Sequence, residues 1–418
     1  MIDPGDTAFI LTASALVMFM TPGLALFYGG LVRQKNVLST VMHSFIALGV
    51  ISLVWFAAGY ALGFGPDKAG LIGGGDYYGL SGVSFSEPSS FAPTIPHGAY
   101  MVFQLMFAII TPALISGAFA ERIKFGGYVA FIALWSLLVY SPIAHWVWGG
   151  GWLGDRGVLD FAGGTVVHIN AGIAALAFAI YLGKRRGWPR ELAPPHNVPM
   201  TVLGAAILWF GWFGFNAGSA LAAGGGALPF VTTHLATAAA VVGWALIEKM
   251  KNGKVTTVGV ATGAVAGLVA VTPAAGFVLP WAAIVIGFLA GVICYLAINL
   301  KYRFGYDDSL DVVGVHFVGG IIGAMATGFF AQAEFDFLDG SGGAIAGAWG
   351  QVLDQAIGVG ATIGFSLVVS LILLVVVDKT IGLRVTESDE LTGLDLSQHS
   401  ESAYSSGDAA ASVGGASH

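Results

Sequence analysis

Two histidines, His168 and His316, sit in the middle of long uncharged runs, and the residues around them repeat. Each has an aspartate eight positions earlier, Asp160 in Asp160-Phe-Ala-Gly-Gly-Thr-Val-Val-His168 and Asp308 in Asp308-Ser-Leu-Asp-Val-Val-Gly-Val-His316. Each has a glycine four positions later, Gly172 and Gly320. A neutral imidazole carries one N–H donor and one bare nitrogen, so a pair of them can hydrogen-bond a small polar solute and relay a proton. Ionisable groups inside apolar segments are rare and default to functional roles. One such histidine is as readily a satisfied packing residue; the repetition is what singles out these two. His43 and His145 also lie in apolar runs but lack the echo, and point less strongly to a pathway. Axial haem ligation is another use of two histidines. The single cysteine, Cys294, excludes an internal disulfide and thiolate metal clusters. The expectation is no cofactor and no metal, and no nucleophile with a general base beside it marks an enzyme.

The elements that carry these residues are membrane helices. Of 418 residues, 56% are hydrophobic and 10% charged, where a soluble domain has about a quarter charged. The net charge of −7 gives no indication of nucleic-acid binding; the partner implied by composition is the lipid bilayer. A crossing needs about 20 apolar residues, and uncharged intervals supply them at Thr7 to Val32, Asn36 to Pro66, Pro88 to Ala120, Phe125 to Gly154 and Phe161 to Gly183. Leu192 to Ile247 holds two spans, broken at Ala222 to Pro229; Val255 to Leu300 holds two more, broken at Thr272-Pro-Ala-Ala-Gly276 and Pro280. Val312 to Ala333 and Gln355 to Val377 complete eleven, so the two ends of the chain face opposite sides. With the N-terminus outside, the inner segments carry 15 of the 17 basic residues and only Lys68 and Arg156 lie outside, a strong positive-inside bias.

Five spans separate the two histidine segments, an odd number, so the copies run through the membrane in opposite senses. Inverted repeats of this kind place a functional site near the midplane. Eight residues of helix rise about 12 Å, which lets both imidazoles reach one depth from aspartates at opposite membrane faces. The fold class expected is all-α integral membrane, with a transmembrane domain over residues 1–378. Repeat one covers about 7–183, repeat two about 199–333, and the eleventh helix about 355–377.

Several longer motifs resemble the ammonium transporter (Amt/Mep/Rh) family, its bacterial and archaeal Amt branch in particular. They are Thr21-Pro-Gly-Leu-Ala-Leu-Phe-Tyr-Gly-Gly30, Gly117-Ala-Phe-Ala-Glu-Arg122, the Asp160 to His168 block, Trp209-Phe-Gly-Trp-Phe-Gly-Phe-Asn-Ala-Gly-Ser219 and Val313-Gly-Val-His316. The resemblance covers nearly the whole chain. It implies a homotrimer, each subunit with its own pore between two five-span halves and the eleventh helix packed outside. It implies an outer recruitment site at Phe107, Trp148 and Ser219, with Asp160 as the buried aspartate that supports it. Phe107 and Phe215 match the stacked rings of a pore gate, with Phe103 beside them, and His168 and His316 match the twin pore histidines.

The implied roles are chemically coherent. Aromatic faces attract a small cation, a partly desolvated contact being worth about 2 kcal/mol, and a serine hydroxyl accepts an N–H. An intact ion in an apolar pore costs tens of kcal/mol unless resolvated. Ammonium, unlike potassium, can shed a proton and pass as neutral ammonia, so deprotonation becomes the selectivity filter. After Val377 the composition changes; residues 379–418 resemble the cytoplasmic tail that PII-type signalling proteins control, and 405–418 are Ser/Ala/Gly-rich, as in disordered segments. Passive ammonia conduction and an ammonium sensor with little flux are the alternatives.

Overall fold

The computed structural model describes residues 1–191, 193–335 and 342–404. Ten helical segments in it are long and apolar enough to cross a bilayer: α1 Pro4–Leu31, α2 Gln34–Phe64, α3 His97–Phe119, α4 Phe125–Arg156, α5 Gly164–Leu182, α6 Val198–Ala217, α7 Gly224–Asn252, α9 Pro280–Phe304, α10 Val313–Phe330 and α11 Gly350–Thr380. A shorter apolar helix, α8 Thr257–Val271, lies between α7 and α9. The break expected near Pro280 is there: eight residues without regular helix separate α8 from α9. The disordered stretch expected at 405–418 lies outside the described residues.

Helix ends follow local chemistry. Asp3 accepts the Asp6 N–H at 2.9 Å ahead of Pro4, Asn197 accepts the Met200 N–H at 3.0 Å, and Thr256 accepts the Gly259 N–H at 2.9 Å, each an N-cap that satisfies an orphan donor. Gly253 and Gly305 close α7 and α9 at positive φ. Among the described residues, five of these helices contain a π-helical turn. Three of these turns, Gly164–Ile169, Phe213–Ala217 and Val313–Phe317, carry His168, Phe215 and His316. Such turns recur at functional sites, where one extra residue re-aims a side chain.

Packing sorts the helices into layers. In the most apolar stretch of α3 and α5, 89% and 83% of residues are buried, against 33% in α2 and α11, so the former are central and the latter peripheral. Lipid offers no hydrophobic drive for helix association, and close backbone contact replaces it. The glycines of the repeated motif supply that contact. A Cβ on Gly172 of α5 would collide with the backbone of Phe317, next to His316. One on Gly320 of α10 would meet Ile169, next to His168, at 2.9 Å.

The connection from α2 to α3 departs from a purely helical fold. It forms two antiparallel pairs, β1 Asp67–Lys68 with β2 Ile72–Gly73 and β3 Pro88–Ser89 with β4 Ala92–Pro96. Gly70 at φ 72° turns the first hairpin, and the prolines of the second are confined to such short edge strands. At the opposite end, the tail folds back onto the helix connections as α12 Glu387–Thr392 and α13 Leu394–His399. Ser39 N–H donates to Asp395 Oδ1 at 2.8 Å, Leu394 N–H to Asn36 Oδ1 at 2.8 Å, and Val385 N–H to the Arg122 carbonyl at 3.1 Å.

Candidate functional site

Both motif aspartates cap the helix that carries their histidine, at the same spacing. Asp160 accepts the N–H of Thr165 at 2.8 Å, and Asp308 accepts that of Val313 at 2.8 Å, five residues on in each case. The two caps differ in completeness. The Asp160 carboxylate also takes the N–H groups of Gly163 and Gly164 at 2.8 and 2.6 Å and the Thr165 hydroxyl, whereas Asp308 Oδ1 is buried without a protein partner. Burial pushes the Asp308 carboxyl up to about 7, against the pull of the Lys301 ammonium.

The histidines meet. Their Nδ1 atoms are 3.3 Å apart and their rings stack at 5.4 Å and 27°. A hydrogen bond between two Nδ1 atoms needs one donor and one acceptor, so the neutral pair holds opposite tautomers. His168 Nε2 is buried with no protein partner and is free for a solute. The spaces beside the pair are small. One of about 10 Å³ is bounded by His168, His316, Phe215, Trp212, Val265 and Leu208, and another of about 10 Å³ by His316, Asp311, Tyr28 and Leu310. A water needs about 10–15 Å³ of such space, so each admits at most a single water-sized molecule. The 3.3 Å separation leaves no width for a porphyrin between the rings, which removes axial haem ligation by this pair.

Above the pair lies a mouth of about 280 Å³, lined by Phe103, Phe107, Trp148 and Ser219 together with Gln104 and Phe161. Its floor is a ring stack. Phe107 and Phe215 lie 4.3 Å apart at 44°, and Phe215 stacks in turn on His168 at 6.0 Å and 20°. Phe107 meets Trp148 edge-on at 6.0 Å and Phe103 at 5.0 Å. Ser219 donates its hydroxyl to the Phe215 carbonyl at 2.8 Å, leaving oxygen lone pairs as acceptors. Trp148 Nε1–H donates to the Asp160 main-chain oxygen at 2.8 Å. Asp160 itself does not border the mouth; its carboxylate is taken up by the helix cap.

Sequence reasoning missed Trp212. Its ring stacks on His168 at 5.4 Å and 20°, and its Nε1–H donates to Thr272 Oγ1 at 2.8 Å. Its spacing of three from Phe215 within the quoted 209–219 motif was the available signal, since i and i+3 share a helix face. Gln104, three residues before Phe107 on α3, was legible in the same way. The isolated histidines border neither the mouth nor the small spaces beside the pair. His43 packs against Tyr128 at 4.6 Å and Phe119 at 5.9 Å, and His145 bonds Asp67 and the Gly63 carbonyl.

Among the described residues, ten apolar helices long enough to cross a bilayer, with an aromatic mouth and a buried histidine pair between them, define a multi-pass membrane protein. A family model described as Ammonium Transporter Family matches residues 8–404. A protein named ammonium transporter from Bacillus subtilis (strain 168) is 50% identical over 402 residues, 96% of this chain and 98% of its own length. The crystal structure of Candida albicans Mep2 superposes with a TM-score of 0.87 at 37% identity, covering 93% of this chain and 88% of that one. A structure titled sensor Amt protein superposes at 0.86 with 30% identity, covering 94% and 98%. This chain belongs to the ammonium transporter family.

Proposed function

We propose that the protein transports ammonium across the cell membrane by binding the ion at the mouth, removing one proton near the phenylalanine stack and conducting ammonia along His168 and His316. The observation that carries the reading is the change of scale: a mouth of about 280 Å³ is closed by Phe107 and Phe215 over spaces of about 10 Å³ beside the paired imidazoles. A hydrated cation fits the first and not the second. At the mouth, Trp148 and Phe107 supply aromatic faces and Ser219 an acceptor. Asp160 acts as a positioning residue, holding Trp148 through its main-chain oxygen and starting α5 through its carboxylate. The released proton follows the histidine pair separately, which makes transport electrogenic.

In this reading α8 is a further, shorter crossing, giving eleven spans with the N-terminus outside and the tail in the cytoplasm. The segments of about 7–183 and about 199–333 form inverted repeats, the α11 helix lies outside them, and three copies assemble as a homotrimer in the cytoplasmic membrane. The docked tail is the surface a PII-type protein would engage. A sensor with little flux is the second reading, favoured by the likeness to the structure titled sensor Amt protein.

The test is current in proteoliposomes on an ammonium jump, with potassium as control, for wild type and His168→Ala. An ammonium-specific current that the substitution abolishes or converts to unselective leak is expected. Ammonia entry without current would replace the relay by a passive channel, and neither current nor uptake would favour the sensor.

A further inference from the structure

The mouth depends on Trp148, where the regular helix of α4 breaks before Gly149, and this break is held by a strap outside the mouth itself. His145, one turn before Trp148 and fully buried, is bonded on both ring nitrogens: Nδ1 is 3.0 Å from the Gly63 carbonyl oxygen and Nε2 is 2.9 Å from Asp67 Oδ1. A carbonyl and a carboxylate both accept. Two such contacts need two ring protons, and a neutral imidazole has one. The Asp67 turn is otherwise built to receive this bond. Gly70 N–H donates to both Asp67 oxygens at 2.8 and 3.0 Å. The same turn grips the segment around Trp148 twice more: Trp146 Nε1–H donates to the Leu71 carbonyl at 2.8 Å, and Trp152 N–H to the Gly70 carbonyl at 3.1 Å. Gly149 is required here, since a Cβ would clash with the Gly63 carbonyl and lie 2.7 Å from His145 Nδ1.

We infer that Asp67 and His145 are positioning residues for Trp148, and that the two contacts of the His145 ring, to Asp67 and to the Gly63 carbonyl, exist together only while the imidazole carries its second proton, so that ammonium is held less tightly as external pH rises. The inference rests on the mouth being the recruitment site on the outer face. The carboxyl of Asp67 is held below the ordinary carboxylate range, first by its hydrogen bond from His145 and then by that from Gly70. Other titratable groups on the packed elements are accounted for. Lys68 neighbours Asp67 on the hairpin; Tyr60 on α2 is taken up by His97, and Arg156 beyond Trp148 by Asp354. Tyr140 lies five residues before His145 on α4, Asp155 lies past the turn, and His168 on α5 faces Phe215 and His316. Asp67 alone among these has an atom within hydrogen-bond distance of the His145 ring.

Replacing the acid by its amide removes the requirement, because the side chain introduced by Asp67→Asn would bring its N–H to an unprotonated Nε2 and its oxygen to a protonated one. In proteoliposomes the KM for ammonium of the wild type, taken relative to Asp67→Asn at each pH so that effects on ammonium itself cancel, is expected to rise about three- to tenfold between about pH 5.5 and 8, the size of one hydrogen bond of ordinary net strength. Maximal rate should stay unchanged, and Asp67→Ala should show the weakened KM at both pH values. Hydrogen exchange of residues 65–74 and 149–152, corrected for the intrinsic pH dependence, should quicken at the higher pH in wild type and not in Asp67→Asn. Equal KM ratios and equal protection for wild type and Asp67→Ala at both pH values would overturn the strap. Exchange as expected in a protein that moves no ammonium would leave the strap standing and count against the transport reading.

Discussion

Trp212 tests how far the residues around the histidine pair matter beyond the pair itself. Its indole holds the His168 ring by stacking and is itself fixed by Thr272. Trp212→Phe keeps the ring and removes the N–H, at a cost of about 0.5–1.5 kcal/mol, and should leave the fold intact with a modest loss of rate. Trp212→Ala opens the space beside His168 from about 10 Å³ toward the volume of a side chain, admitting water. The expected outcome is ion leak, read as potassium current in the proteoliposome assay; unchanged selectivity would deny the ring a part in the constriction. Phe215→Ala should act in the same direction, because Phe215 separates the mouth from His168.

At the scale of elements, the crossing of α5 and α10 is set by small residues. Gly172→Val places a branched side chain against the Phe317 backbone, and overpacking of this sort costs about 1–3 kcal/mol or more. A lower thermal unfolding temperature in detergent is expected, together with lost transport, since the same shift separates His168 from His316. Gly320→Val should do the same from the other side through Ile169. A variant of either kind with wild-type stability and rate would show that the crossing is not tightly specified. The echo of aspartate, histidine and glycine thus has a plain physical meaning. The aspartate starts the helix, the π-helical turn aims the imidazole, and the glycine lets the partner helix approach.

Across the whole molecule, an ionic cluster ties the helix connections at the tail end. Glu121 bridges Arg33 at 2.9 Å and Arg185 at 3.2 Å, and Arg185 continues to Asp307 at 2.9 Å. Burial alone would raise both carboxyls, but the guanidinium groups of Arg33 and Arg185 hold Glu121, and that of Arg185 holds Asp307, below the ordinary range. A folded-state value below the unfolded one gives stability that is present above the ordinary carboxylate range and lost as pH falls through the folded value. Unfolding temperature should therefore drop on acidification below about pH 4. Glu121→Gln should lose about 3–5 kcal/mol at neutral pH, as breaking a buried pair does, and flatten the acid limb. The tail docks beside this cluster, Glu390 accepting the Arg186 N–H at 2.6 Å and pairing with Arg384 at 3.2 Å. Asp395→Ala, which removes the acceptor for Ser39, should make residues 386–404 more open to limited proteolysis; an unchanged cleavage pattern would count against Asp395 as an anchor.

The sequence by itself determined the membrane environment, the positions of the long apolar helices and the family, because apolar length, sparse charge and extended motifs are one-dimensional properties. It also singled out His168 and His316, since a repeated Asp–His–Gly spacing is visible without coordinates. Tertiary structure alone decided that the two Nδ1 atoms meet, since residues 148 positions apart are joined only by the α5–α10 crossing. It decided that the Asp160 carboxylate turns into the helix cap and away from the mouth, a choice made by local N–H groups that spacing does not reveal. The hairpin strap on His145 was likewise illegible, because a lone buried histidine gains its partners from a loop and helix end 78 and 82 residues earlier, and only folding brings the acceptors to both of its ring nitrogens.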